Sequence, residues 1–268
     1  MDDVRLIASD LDRTLLTGDG ELPPGFFDTV ERLNSHGIIF VPASGRPLPT
    51  LHHMFPADSN GFAFISDNGA VAAYNGEILF ESVLPPDAYL TMTRATFDKT
   101  DAYPMVCGLH ATYVTSAAKS YADVFHRFYK NIVYINDYSL IEEDAVKFSA
   151  YFPAQDARGA YEVMYEPTFG KEFSVTLGGP PWVDIMNLGI SKGAAIQAMA
   201  KHLGLDRDQL MAFGDTFNDL EMLDAVGHSY AVANADQEVL DRARFTAQSN
   251  EDHGVMQVLD TLLNRRTQ

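Results

Sequence analysis

Short apolar runs that stop abruptly in polar loops set the rhythm of both ends of this chain. Leu6-Ile7-Ala8 runs straight into acids and a Thr, which predicts a buried parallel strand followed by a functional loop. Pro23-Pro24 opens a helical stretch with Phe27, Val30 and Leu33 on one face, closed by Gly37. Ile38-Ile39-Phe40-Val41 and Phe62-Ala63-Phe64-Ile65 read as further buried strands, ending in Ala43-Ser44-Gly45-Arg46-Pro47 and Ser66-Asp67-Asn68-Gly69. Strand–helix–strand alternation implies a parallel sheet flanked by helices.

The pattern then changes. Ala70 to Phe80 alternates about Asn75-Gly76, a hairpin signal, and Pro85-Pro86 marks a break. From about 87 to 183, helices mix with two-sided strands such as 111–115, 145–149 and 173–177, as in an antiparallel sheet with one helical face. From Trp182 the first style returns. Ser191 begins a helix through Ala194, Ile196, Ala198, Met199 and Leu203 that Gly204 ends. Leu210–Phe213 and Ser229–Ala233 are strands, and a last helix runs from about Val255 to Leu263. The expected fold class is α/β: a parallel-sheet core built from 1–84 and 185–268, with an α+β domain of 85–184 inserted.

Composition narrows the function. The chain has 268 residues, 37 acidic against 19 basic, for a net charge of -18. Such a surface repels nucleic acid and anionic lipid, so neither is expected as a partner. An anionic substrate needs a locally positive site. The single Cys107 rules out an intrachain disulfide and reads as a buried inert thiol. The start, Met1-Asp2-Asp3-Val4, lacks the basic and apolar regions of a signal peptide, and no apolar run approaches the roughly 20 residues of a membrane span. A cytoplasmic location is expected.

Four polar loops sit directly after apolar strands: at Asp10, Ser44, the region 190–193 and Asp215. Sites in open parallel sheets form outside the carboxyl ends of the strands, so these loops are expected to converge. Asp10, Asp12, Asp215 and Asp219 would then bring four carboxylates into one crevice, which calls for a divalent cation. All-oxygen ligands without Cys or His point to Mg²⁺. Any one Asp alone reads as a turn or cap residue; four at strand ends read as a site. Lys192 sits in the first turn of its helix, against the helix dipole, a conflict that a bound anion resolves. Ser44 and the Gly45 amide supply donors for phosphate oxygens. No Ser-His-Asp, Cys-His, Gly-x-Ser-x-Gly or Walker loop occurs, and the eight histidines show no metal-ligand spacing. A carboxylate nucleophile remains.

These residues resemble the haloacid dehalogenase superfamily, specifically its Cof-type phosphatases. Asp10-Leu11-Asp12-Arg13-Thr14 matches the first motif, Ser44 the second, Lys192 in Gly189-Ile190-Ser191-Lys192-Gly193 the third, and Gly214-Asp215-Thr216-Phe217-Asn218-Asp219 the fourth. The resemblance implies a Rossmann-like core with the insert as a cap that selects the substrate. It implies that Asp10 attacks phosphorus and that Asp12 serves as acid and then base. Asp10, the Asp12 carbonyl and Asp215 would bind Mg²⁺, with Asp219 in or beside that shell. Thr14, Ser44, Gly45, Lys192 and Asn218 would hold phosphate oxygens. Cys107-Gly108-Leu109 with Tyr113-Val114 also resembles the caps of bacterial sugar phosphatases. Position 13 departs from the family, which mostly carries Gly there; Arg13 is expected to adopt an ordinary backbone conformation or to point outward.

The implied reaction is hydrolysis of a small phosphomonoester, a sugar phosphate. A sugar phosphomutase uses the same two aspartates, and a non-catalytic phosphate-binding module is the reading outside enzymes. Arg46, Asn68, His110, Tyr113 and Asp184 are candidates for substrate contact, each with a plain alternative as a turn, core or surface residue. The motifs leave the individual substrate and the oligomeric state open.

Overall fold

A computed structural model describes residues 3–55 and 62–266. Its strands are β1 (Leu6–Ser9), β2 (Ile39–Pro42), β3 (Ala63–Ser66), β4 (Val71–Tyr74), β5 (Glu77–Glu81), β6 (Tyr103–Gly108) and β7 (Thr112–Thr115). They continue with β8 (Ile132–Ile135), β9 (Ala145–Tyr151), β10 (Phe173–Leu177), β11 (Trp182–Asn187), β12 (Leu210–Gly214), β13 (His228–Val232) and β14 (Phe245–Ala247). Contacts divide the chain into two compact units: residues 1–44, 55–80 and 191–268, and residues 45–54 with 81–190.

The first unit carries a parallel sheet in the order β14-β13-β12-β1-β2, and isolated parallel bridges at Phe40–Phe62 and Ala43–Ile65 bring β3 beside β2. All four residues of β1 are buried, as a strand covered on both faces requires. Leu6 and Ala8 join Val41, Ile65, Ile196, Met199, Leu210 and Met222 in one core. The β4–β5 hairpin turns at Asn75 (φ 52°) and Gly76 (φ 77°), both left-handed, as a two-residue Asn-Gly turn demands.

Two helices show how local signals were realised. The helix Lys192–Leu203 is capped by Ser191, whose hydroxyl accepts the Ala194 N–H, and closes at Gly204 with φ 66°. The helix Phe26–Ser35 buries Phe26, Thr29, Val30 and Leu33, whereas Phe27 is 44% exposed. Residues 26, 30 and 33 share a face at helical spacing, and position 27 is turned about 100° from it; the expected Phe27 face is one residue out.

The second unit is a six-stranded sheet, β10-β11-β9-β6-β7-β8. Its pairs are antiparallel except β7–β8, which is parallel. The apolar side of β9 and β11 packs Phe148, Ala150, Val183 and Ile185 against helix residues Tyr89 and Met92. A second cluster of Phe125, Tyr129, Tyr151 and Trp182 lies with Met105 and Cys107, all from the other face. Trp182–Asn187 pairs with both β9 and β10, so the return to the first unit comes after it, at Ser191. Residues 45–54 also group with this unit: the Lys130 N–H donates to Thr50 Oγ1, and the Arg46 guanidinium donates to the Arg127 carbonyl. No helix among the described residues is long and apolar enough to cross a membrane.

Candidate active site

Strand register assembles the first part of the site. Ser9 pairs with Phe213 on one side and Pro42 on the other, so Asp10, Ser44 and Asp215 all follow the carboxyl edge of one sheet. The Asp10 N–H donates to the Phe213 carbonyl at 3.0 Å, prolonging the ladder by one bond. Beyond it, Leu11–Leu15 forms a wide turn closed by the Leu16 N–H on the Leu11 carbonyl at 2.8 Å.

Lys192, fully buried, joins two acids from different loops. Its Nζ lies 2.5 Å from Asp10 Oδ1 and 2.7 Å from Asp219 Oδ1. Asp219 Oδ2 accepts the N–H groups of Asp215 (2.9 Å) and Thr216 (3.2 Å). Gly214 permits that approach, because a Cβ there would stand 2.5 Å from Asp219 Cβ. Asp215 Oδ1 accepts the Thr14 hydroxyl at 3.0 Å. Asp215 Oδ2 is buried and takes no hydrogen bond among the described residues.

Carboxylate oxygens of Asp10, Asp215 and Asp219 lie within 4.8 Å of one another. Three carboxylates against one ammonium leave two formal negative charges in a buried place. Burial is the largest influence on Asp10 and pushes its carboxyl well above the usual range; Lys192 pulls it down, and Asp219 and Asp215 push it up again. Asp215 is raised to about 6 by burial and the Asp219 charge, against Arg13, Thr14 and Lys192. Burial alone would depress Lys192, but Asp10 and Asp219 outweigh it and hold the ammonium above its ordinary value. The three shifts describe one cluster that lacks positive charge.

Asn68 ties the remaining loops together. Its N–H donates to the Ser44 carbonyl at 3.0 Å, and its Oδ1 accepts from Asn218 Nδ2 at 3.1 Å. Asn218 Oδ1 in turn accepts the Thr216 hydroxyl at 2.8 Å. Asp67, Asn68 and Gly69 are consecutive left-handed residues, an arrangement that Asn and Gly tolerate and that is stored at functional sites. Gly69 presses on the Ser191 carbonyl so closely that a Cβ would overlap it, which fixes the approach to Lys192.

Two sequence expectations change. Asp12 is exposed, and its carboxylate is not in the cluster formed by Asp10, Asp215 and Asp219; three buried acids converge, not four. Arg13 takes neither expected form. Its φ of 66° is left-handed, and its guanidinium folds back to within 3.4 Å of Asp215 Oδ2. Thr14 is buried and engaged by Asp215.

Gly45 and the substrate-contact candidates Arg46, His110, Tyr113 and Asp184 belong to the second unit, Asn68 to the first. The Gly45 carbonyl accepts from the buried Lys147 ammonium. The Arg46 guanidinium carbon lies 5.2 Å from the Phe128 ring centre. The His110 N–H and Tyr113 hydroxyl share the Glu143 carboxylate, each at 2.8 Å; burial and that carboxylate raise the Tyr113 phenol to about 12. Asp184 Oδ1 accepts the Ser149 hydroxyl at 2.5 Å. Lys147 itself escaped the sequence reading, although a lysine at an alternating position of an apolar strand was a signal.

Residues 7–259 match the model of a family described as haloacid dehalogenase-like hydrolase. The chain is 28% identical over 265 residues to the 5-amino-6-(5-phospho-D-ribitylamino)uracil phosphatase YbjI of Escherichia coli K12, covering 97% of this chain and 96% of that one. It is 28% identical over 236 residues to an HMP-PP phosphatase of Enterobacter sp. strain 638, covering 86% and 85%. Among solved structures, a Streptococcus mutans UA159 protein superposes with a TM-score of 0.89 at 27% identity, over 97% of this chain and 99% of that one. A haloacid dehalogenase-like hydrolase from B. subtilis shares the fold, with a TM-score of 0.83 at 21% identity over 97% and 100%.

Proposed function

The chain belongs to the haloacid dehalogenase-like hydrolases, and from that premise we propose that it is a Mg²⁺-dependent phosphatase of small phosphomonoesters, with Asp10 as nucleophile. The observation that carries this reading is the junction at Lys192, which binds Asp10 and Asp219 together while Asp215 stands within 4.8 Å of both. A buried acid at a strand end, oriented by an ammonium, is a poised nucleophile rather than a helix cap.

The residues fit a divalent cation. The donors are all oxygen, three carboxylates face one buried ammonium and the half-exposed Arg13 guanidinium, and Asp215 Oδ2 is a buried acceptor without a hydrogen bond. Asp10 and Asp215 would hold the ion with the Asp12 carbonyl. Asp219, whose oxygens serve Lys192 and two amides, supports the shell from beside it. When bound, the ion neutralises charge on the phosphoryl oxygens.

Asp10 attacks phosphorus in line, and the ester P–O bond breaks as a P–O bond to the carboxylate forms. Asp12 gives its proton to the leaving oxygen. Its exposed side chain suits a group that must reach the leaving alcohol and water. Asp12 then takes a proton from water, the water oxygen bonds to phosphorus, and Asp10 is released with inorganic phosphate. Lys192, Ser44, the Gly45 amide and Asn218 steady phosphate oxygens. The hydroxyl of Thr14 gives its one proton to Asp215 Oδ1, which makes Thr14 a positioning residue for that carboxylate.

Sugar phosphates and phosphorylated sugar alcohols are the substrate class we propose, supported by the phosphoribityl group in the name of YbjI. The second unit, with Arg46, His110, Tyr113 and Asp184, is proposed as the cap that chooses among them. The single buried Cys107 supports a cytoplasmic setting. Inorganic phosphate released from a panel of phosphomonoesters tests the function. With Mg²⁺ the wild type should turn over sugar phosphates, and Asp10→Asn should give only the blank rate. Isomerised phosphosugar without release would favour a mutase, and no turnover of any ester would favour a binding module.

A further inference from the structure

Arg13 is held where its backbone does not favour a side chain. Its φ is 66°, in the left-handed region that penalises a Cβ. Yet the side chain is aimed. Arg13 Nη2 donates to the Asn234 carbonyl at 3.1 Å, and Asn234 Nδ2 donates back to the Arg13 carbonyl at 2.8 Å. Asn234 is fixed in turn, its Oδ1 accepting the Asn250 N–H at 3.0 Å. This clamp directs the guanidinium to Asp215 Oδ2, at 3.4 Å. That oxygen is the buried acceptor without a hydrogen bond, and Lys192 pairs with Asp10 and Asp219 instead.

We propose that Arg13 is a built-in competitor of the divalent cation: it neutralises Asp215 in the metal-free protein, withdraws when the ion binds, and so weakens the site's affinity for that ion. The inference rests on the metal reading above. A guanidinium and a divalent cation cannot both stand at one carboxylate oxygen without strong repulsion. Withdrawal is feasible because the Arg13 side chain is 55% exposed and can exchange its contacts for water. With Arg13 in place, one of the two uncompensated charges is cancelled, so less is gained when the ion binds. A site built in this way follows the free concentration of the ion instead of holding it permanently.

Calorimetric titration of Mg²⁺ into chelator-stripped protein tests this without reference to turnover. Arg13→Met and Arg13→Gln, which keep an unbranched stem and lose the charge, should bind Mg²⁺ about three- to tenfold more tightly than wild type at low salt. The gain should shrink at about 0.5 M NaCl, where the charge is screened. Arg13→Lys should stay near wild type. Unchanged or weaker binding by both neutral variants overturns the proposal, as does tightening in Arg13→Lys equal to that in Arg13→Met. A wild type that binds no Mg²⁺, or an Asp215→Asn variant that binds as wild type does, overturns the metal reading itself.

Discussion

Replacing Lys192 by Met removes one buried positive charge and keeps the volume. Lys192 makes two charge-assisted hydrogen bonds, at 2.5 Å to Asp10 and 2.7 Å to Asp219. Each such bond contributes about 1.5–3 kcal/mol, so together they account for about 3–6 kcal/mol. Removing one partner of a buried ion pair costs about 3–5 kcal/mol, in agreement. Proton uptake by Asp10 moves the loss toward the lower end, since burial and its acidic neighbours already push its carboxyl up. About 3 kcal/mol is therefore expected at pH 8, lowering the melting temperature by roughly 6–12 °C for a chain of this size. Without Lys192 the native Asp10 holds its proton still more firmly than the unfolded chain does. The variant's stability then falls as pH rises, and the deficit against wild type narrows toward pH 5. Thermal unfolding of both proteins in chelator at pH 5 and pH 8 measures this. A difference under about 2 °C at pH 8, or a deficit that grows on acidification, refutes the buried junction.

Metal-free wild type should itself lose stability as pH rises from about 4 to about 6. Asp215 is raised to about 6 in the native protein, so in that window the folded state binds more protons than the unfolded one, a contribution of at most about 3 kcal/mol. Melting curves in chelator across pH check the sign. Over the same range, apparent Mg²⁺ affinity should fall at least about tenfold per pH unit below 6, because Asp215 and Asp10, both raised, must be deprotonated; calorimetry at two pH values decides it. Gly69→Ala puts a Cβ into the Ser191 carbonyl at φ +100° and should cost about 2–5 kcal/mol. Gly76→Ala, at φ +77° with open space around it, should cost about 1–2 kcal/mol; equal melting temperatures for the two variants would contradict the close approach at Lys192.

The core of the site was legible because its residues occupy positions that the strand pattern defines. Asp10 and Asp215 directly follow apolar runs, and Ser191-Lys192 opens a helix whose cap could be read locally. What was not legible depends on side-chain direction or distant pairing. The exclusion of Asp12 from the acidic cluster and the approach of Arg13 to Asp215 belong to a turn in which Arg13 is left-handed, and Arg at that position gives no local sign of it. Trp182–Asn187 is apolar enough for either sheet; its place is decided by β9 and β10. Asn68 reads as a turn residue, yet it links Ser44 to Asn218, which lies 150 positions after it in sequence. The Phe26–Phe27 pair offered two helical faces differing by one residue, and the face of Phe26 is the buried one.

The covalent step on Asp10 is open to direct observation. Wild type mixed with a turned-over phosphomonoester and Mg²⁺ is quenched in acid during the first turnovers, then reduced with borohydride and digested for mass spectrometry. An acyl phosphate on Asp10 is reduced to the alcohol, so homoserine should replace aspartate at position 10 in the peptide containing Leu11-Asp12-Arg13. Homoserine at another acid, or unmodified Asp10 in a sample that is visibly releasing phosphate, would contradict Asp10 as the nucleophile.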